Sequence, residues 1–181
     1  MRKKLGLKRG TVELVPHIKE WAALYEEERT RLEEILSGLP AAFEHVGSTA
    51  IPSLEAKPII DVALGIPSLD EAAEYIHRLE PHGYNDRGML PGEDRLMAKG
   101  PEECRTHYVH IVEHGGKKWQ EYILFRDYMR SHPEAREEYA GLKETLADQF
   151  ADEREKYTAG KHDFIQRILV LAKRENRQQP K

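Results

Sequence analysis

The run KPIIDVALGI, residues 57–66, constrains the fold more than any other stretch of this sequence. Its apolar and β-branched residues are typical of a strand that is covered on both faces. Asp61 is the one acidic residue in the run, and a carboxylate among such neighbours needs a metal, a basic side chain or N–H donors as its partner. An alternative interpretation is a buried aspartate that fixes a loop through backbone N–H groups.

Hydrophobic periodicity assigns the flanking elements. Apolar residues at helical spacing predict a helix over 17–36, with its Glu and Arg residues on the solvated face. A short strand is expected over 43–46, ending at Gly47. Ser68, followed three residues later by Glu71, predicts a capping box that opens a helix to about residue 79.

The rest of the chain divides at the Gly-Gly pair at residues 115–116. Several Gly and Pro residues over 83–105 predict strand pieces around a mobile loop, residues 87–103. THYVHIVE, residues 106–113, alternates and predicts a strand. Helical periodicity then continues towards the C-terminus, with Pro133 at the start of one helix. The expected fold class is α+β, with a small mixed sheet, flanking helices and a helical C-terminal third.

The 181 residues fit one domain, which we place at residues 16–172 between an irregular arm, 1–15, and a polar tail, 173–181. A net charge of −4 argues against general attraction to nucleic acid or an anionic membrane. No run approaches the ~18 apolar residues of a membrane span, and the N-terminus lacks the apolar core of a signal peptide. Cys104 is the only cysteine, so no internal disulfide forms and a cytoplasmic location fits.

The turn before the apolar run suits phosphate chemistry. Gly47 permits a tight bend and a close approach of the backbone to a ligand. Ser48 and Thr49 add hydroxyls and N–H groups that a turn can present to a phosphate, although most Gly-Ser turns are only turns. Lys57, just before the strand, is one candidate partner for Asp61.

These residues carry a resemblance to a known family. HVGSTAIPSLEAKPIIDVALGI resembles the signature of the GrpB-like family of the nucleotidyltransferase fold superfamily. The likeness continues through THYVHIV, FRDYMRSHPEAREEYAGLK and YTAGKHDFI, from about residue 14 to residue 171. A related domain is fused to dephospho-coenzyme A kinase in some bacteria.

The resemblance implies a phosphate and metal site. Gly47 and Ser48 match the phosphate turn, and Asp61 matches the first acid, a ligand for Mg²⁺. The second acidic position is Ala63, which cannot bind a metal, so we expect Mg²⁺ to bind weakly unless a ligand adds oxygens. The third position falls on the strand over 106–113, where the resemblance favours His110. A histidine there, like His45 beside the turn, is as often a satisfied core residue.

The helical third supplies positive charge. Arg126 and Arg130 are four residues apart, share a helix face and suit bidentate phosphate contacts. Lys143, Tyr157 and Lys161 match family positions and imply an anion pocket that faces the sheet. Taken alone, each basic residue is more often a solvated surface charge.

Two functions remain open at this point. The first is a Mg²⁺-dependent nucleotidyl or phosphoryl transferase in which Asp61, His110, Arg126 and Arg130 are catalytic. The phosphates would then bind at the turn and at the basic residues; the full binding set is His45, Gly47, Ser48, Thr49, Lys57, Lys143, Tyr157 and Lys161. The second is a non-catalytic binding module for a nucleotide or a coenzyme A precursor, which Ala63 favours. In both, the partner is a phosphorylated small molecule.

Overall fold

A mixed sheet lies at the centre of the structure, a computed structural model that describes residues 5–178. Its five strands are β1 (Ala42–Val46), β2 (Ile60–Ile66), β3 (Tyr84–Leu90), β4 (Asp94–Lys99) and β5 (His107–Glu113). Their spatial order is β1-β2-β5-β4-β3; β2 and β5 are parallel and the other neighbours are antiparallel. The sheet therefore confirms the predicted α+β class.

Helices cover both faces of this sheet. They are α1 (Glu20–Ile35), α2 (Ala72–Leu79), α3 (Lys117–Ser131), α4 (Pro133–Gln149), α5 (Arg154–Ala159) and α6 (His162–Gln178). The change to helix after residue 116 and the start of α4 at Pro133 agree with the sequence pattern. Within residues 5–178, none of the helices is long and apolar enough to cross a bilayer.

The apolar run behaves as its composition predicts, because β2 is buried on both faces. Val62 and Leu64 point to one face and join the core under α1 and α2. Ala63 points to the other face and packs with Trp119 of α3. Burial of a Val or Leu side chain stabilises the fold by about 1.5–3 kcal/mol, so this strand anchors both layers.

The predicted mobile loop over 87–103 is largely a β-hairpin formed by β3 and β4. Gly and Pro residues favour a loop in the sequence, but in the structure they lie within or between the paired strands of the hairpin. Gly88 has φ +83° at an irregularity in strand pairing between Asp86 and Met89. The consequence for the site is that Asp94, inside the predicted loop, lies in β4 next to β5.

Two further local predictions need correction. Glu28 in α1 is only 3% exposed instead of solvated, since it accepts hydrogen bonds from the Tyr84 hydroxyl and the Lys99 ammonium, both at 2.5 Å. Ser68 caps Asp70 N at 3.2 Å instead of completing a box with Glu71, because a short 3₁₀ turn precedes α2.

Several described residues of the predicted arm and tail take part in regular structure. Leu7 is buried and pairs with Arg105, and Val15 pairs with Ala56. α6 continues beyond residue 172 to Gln178. Residues 1–4 and 179–181 of the predicted arm and tail lie outside the described residues.

Candidate functional site

The Gly47 turn brings the backbone against Asp61. Gly47 ends β1 with φ +69° and leads into a 3₁₀ turn over Ser48–Ala50. A Cβ on Gly47 would lie 2.4 Å from Oδ2 of Asp61, so only glycine permits this approach. The Ser48 hydroxyl lies beside the phenol of Tyr139 in α4 and opposes the rise in the pKa of that phenol. The turn and the carboxylate thus form one continuous surface.

Asp61 faces His110 across β2 and β5. Nε2 of His110 lies 3.5 Å from Oδ1 of Asp61, and Nδ1 lies 3.0 Å from Oδ2 of Asp94. The Tyr122 hydroxyl donates to the same Asp94 oxygen at 2.5 Å and lies 3.0 Å from Nδ1 of His110. We call these three residues the Asp94–His110–Tyr122 network. Although burial favours the neutral ring, the carboxylates of Asp94 and Asp61 raise the pKa of His110 to about 10.

Two lysines, Lys57 and Lys161, lie within reach of the charge of Asp61, and Arg154 lies close to both of them. We call Lys57, Arg154 and Lys161 the cationic cluster. The two lysine ammonium groups lie over the ring of Tyr157, at 5.3 Å for Lys57 and 4.5 Å for Lys161. The guanidinium of Arg154 lies over the Tyr108 ring at 5.1 Å, and its buried Nη1 has no hydrogen-bond partner among residues 5–178. Within that range, none of the three forms an ion pair with a carboxylate.

Burial and neighbouring positive charges lower the pKa values of the lysines near this site. Burial, then the charges of Lys161 and Arg154, lowers the pKa of Lys57 well below its ordinary value. Burial lowers the pKa of Lys161 to about 8, although Asp61 opposes the shift. Burial likewise lowers the pKa of Lys143 to about 7; its ammonium donates to the Glu55 carbonyl. An anion bound here would relieve this repulsion and restore the charged lysines.

The structure separates the four predicted catalytic residues into two pairs. Asp61 and His110 meet, but Arg126 donates to the His45 carbonyl at 3.0 Å and to Glu44 at 2.6 Å. Arg130 donates twice to the Ala50 carbonyl, at 2.9 and 2.7 Å. Both arginines line a groove of about 490 Å³ that is formed by α1, β1 and α3 and does not include Asp61. They hold the backbone on either side of the Gly47 turn.

His45 and Thr49 also differ from the expected ligand contacts. His45 pairs with Val62 in the strand register, on the face opposite Asp61. Its Nε2 lies 3.0 Å from the Thr49 hydroxyl, and its ring stacks on Tyr25 with centroids 4.7 Å apart. Burial lowers the pKa of His45 to about 4. This pair packs the turn onto α1.

Sequence reasoning missed several residues that the structure brings to the site. Asp94 was assigned to a loop, although it is 1% exposed and binds His110. Tyr122 shares the α3 face of Trp119 and looked like a core aromatic. Arg154 lies in an uninformative charged stretch, and Tyr108 gives only the strand period. The position of Tyr108 could have been predicted, because residues two apart on a strand share a face and Tyr108 lies two residues before His110.

The donor set does not fit a Mg²⁺ centre. Mg²⁺ prefers six oxygens, and Asp61, whose carboxylate lies against the turn, supplies at most two of them. Ala63 is fully buried under Trp119, and both oxygens of Asp94 already contact Nδ1 of His110. Over residues 5–178, no three His, Cys, Asp or Glu side chains are arranged to share a metal ion. The nearby cationic cluster further disfavours a divalent cation.

Comparisons with known proteins agree with this architecture. Residues 11–170 match the family model described as "GrpB protein". The chain is 36% identical over 171 residues to the "Glutamate-rich protein GrpB" of Alkalihalophilus pseudofirmus and covers 98% of it; the match spans 91% of this chain. It is also 36% identical over 165 residues to the "UPF0157 protein YqkA" of Bacillus subtilis. That match covers 90% of this chain but only 48% of YqkA, so the chain spans about half the length of that relative.

Two solved structures place the fold. The crystal structure of the conserved protein GrpB from Enterococcus faecalis superposes with a TM-score of 0.82 at 31% identity, covering 92% of this chain and all of that one. A poly(U) polymerase, Cid1 with MgGTP bound, gives a TM-score of 0.50 at 12% identity over 75% of this chain and 44% of that one. That likeness shows a nucleotidyltransferase-like fold.

A dephospho-CoA kinase of Mycolicibacterium paratuberculosis is a further sequence relative. It is 30% identical over 80% of this chain, and the match covers 41% of the kinase.

Proposed function

This chain belongs to the GrpB family, and we propose that it binds a phosphorylated small molecule, a nucleotide or a coenzyme A precursor, at the Gly47 turn. The observation that carries the proposal is the cationic cluster of Lys57, Arg154 and Lys161, which has no carboxylate in ion-pair contact within residues 5–178. Half-buried charges of one sign are costly unless an ion of the other sign joins them. A phosphate supplies that charge.

The surroundings of the cluster suit a phosphate ester in particular. The Ser48 hydroxyl and the turn beside Asp61 offer hydrogen bonds on one side. The rings of Tyr157 and Tyr108 support the cations on the other. The kinase relative supports a coenzyme A precursor among the candidate ligands, and the fold likeness to Cid1 supports a nucleotide. Asp61 is placed to accept a hydrogen bond from a hydroxyl group of such a ligand.

Calorimetric titration tests this proposal. Pyrophosphate, ATP and dephospho-coenzyme A are titrated separately in EDTA into the parent protein and into Lys161→Met. We expect at least one of them to bind the parent and to bind the variant at least about tenfold more weakly, since one charge-assisted hydrogen bond contributes about 1.5–3 kcal/mol. The matched control is Lys156→Met in α5, the helix that precedes Lys161; Lys156 pairs with Glu153 and has a 62% exposed side chain.

The same variant also separates a binding site from a structural one. Lys161 is charged at a cost in the folded chain below its pKa of about 8, whereas an unfolded lysine titrates near 10.5. Lys161→Met should therefore raise the free energy of unfolding at pH 7 by about 1–3 kcal/mol while it weakens binding. Equal binding by parent and variant, or no binding of any of the three probes, would refute the proposal.

A transferase activity is the second candidate, and one observation favours it. Asp94 orients Nδ1 of His110 at 3.0 Å and leaves Nε2 facing Asp61, the arrangement by which a carboxylate prepares an imidazole for proton transfer. In such a reaction His110 would exchange a proton with a ligand hydroxyl beside Asp61. Incubation with α-labelled ATP and candidate acceptors, with and without Mg²⁺, tests it: labelled acceptor or released AMP that is lost in His110→Gln supports transfer.

A further inference from the structure

His110 lies where a cation would have to approach Asp61 from β5. Its Nε2 is 3.5 Å from Oδ1 of Asp61, while Oδ2 lies against the Gly47 turn, where an added Cβ would meet it at 2.4 Å. One oxygen of the carboxylate thus faces an imidazole and the other faces backbone. The carboxylate side chain is 28% exposed, so an ion could reach it only across that part of its surface.

The imidazole cannot easily turn away from Asp61. Both oxygens of Asp94 lie within 3.1 Å of Nδ1, and the Tyr122 hydroxyl contacts both Nδ1 and Asp94. The Asp94 side chain is 2% exposed and that of His110 is 12% exposed, so water gives neither group an alternative partner. A buried carboxylate of this kind fixes the orientation of a histidine ring.

From this geometry we propose that the Asp94–His110–Tyr122 network takes the place of a metal centre at Asp61. His110 is a positioning residue: it holds Asp61 against the turn, and it fills the space and uses the Asp94 oxygens that a divalent cation would need. The phosphorylated ligand is then held by the cationic cluster without a metal. The inference rests on the proposed function for the nature of the ligand, but the exclusion of the metal is testable without it.

Titration with Mn²⁺, followed by electron paramagnetic resonance, tests the exclusion directly on the ligand-free chain. The parent protein should show no site for Mn²⁺ at micromolar concentrations. His110→Asp replaces the ring by a third carboxylate between Asp61 and Asp94, and should bind Mn²⁺ at least about tenfold more tightly, because affinity follows the number of charged oxygen ligands. His110→Gln, which adds no charge, is the matched control and should show no gain.

Two results would overturn the inference. One is micromolar Mn²⁺ binding by the parent that is lost in Asp61→Asn, which needs no variant at position 110 to fold. The other is a folded His110→Asp protein, judged by circular dichroism, that gains no affinity. Pyrophosphate titration in EDTA is a separate arm. Failure of pyrophosphate to bind under any condition would refute the proposed ligand class, whereas the Mn²⁺ comparison would still decide whether His110 excludes the metal.

Discussion

Replacement of Gly47 by alanine tests whether the turn and Asp61 form one unit. Gly47 has φ +69° and ψ −174°, a region that is nearly restricted to glycine, so a side chain there costs about 1–3 kcal/mol in backbone strain. The new Cβ would also lie 2.4 Å from Oδ2 and 3.0 Å from Cγ of Asp61, so the carboxylate must shift and its contact with His110 is disturbed. Disturbance of that charged contact adds about 1–3 kcal/mol, so Gly47→Ala should lower the free energy of unfolding by about 2–6 kcal/mol in total.

Urea denaturation followed by far-ultraviolet circular dichroism measures this loss, and Gly83→Ala is its control. Gly83 has φ +85°, but no atom lies within 4 Å of its added Cβ, so only the backbone cost of about 1–2 kcal/mol should appear. Asp61→Ala in the Gly47→Ala background removes the contacts with Oδ2 and Cγ. The two substitutions should therefore show a coupling of about 1–2 kcal/mol. Equal losses for Gly47→Ala and Gly83→Ala, or strict additivity with Asp61→Ala, would refute the reasoning.

Three further predictions concern stability. Glu28→Gln should cost about 3 kcal/mol in urea denaturation because it breaks a buried ion pair, whereas Glu26→Gln, at a 59% exposed side chain, should change the free energy of unfolding by less than about 0.5 kcal/mol. The pKa of His45 is about 4 in the folded chain and 6.5 in the unfolded chain, so the unfolded chain binds the proton first as the pH falls. The free energy of unfolding should therefore decrease by up to about 3 kcal/mol between pH 6.5 and pH 4. His45→Gln should flatten that dependence on pH. Ala63→Asp buries a carboxylate against Trp119 and should lower the thermal midpoint and cost about 2–4 kcal/mol without adding Mn²⁺ binding; unchanged stability would contradict the burial argument.

Strong periodicity predicted the central elements of the fold correctly. β2 and β5 carry unbroken or alternating apolar patterns, and the helices after residue 116 keep their spacing over several turns. The β3–β4 hairpin was missed because its Gly and Pro residues suggest a loop, whereas pairing with β5 decides the conformation of β4. Glu28 was misplaced for a related reason, since its partners Tyr84 and Lys99 come from distant strands.

Only part of the site follows from sequence. The family resemblance implied that His110 lies in the pocket of Asp61, and face alternation along two well-defined strands is compatible with it. The contacts of Arg126 could not be predicted from sequence. Its helix face lies next to backbone carbonyl groups beside the turn, and these compete with any ligand for its hydrogen bonds. Arg154 in turn depends on α5, a helix of six residues with no clear apolar stripe in the sequence.

The missing acid and the locked histidine are two parts of one arrangement. Ala63 and His110 are register partners on adjacent parallel strands, so they lie side by side on the face that carries Asp61. Trp119 covers the first, and Asp94 and Tyr122 hold the second. A carboxylate restored at position 63 would therefore be buried beneath α3, whereas a carboxylate at position 110 would face Asp61 directly. The proposed exclusion of a metal therefore depends on the histidine more than on the alanine, because helix α3 already closes the side of the site at Ala63.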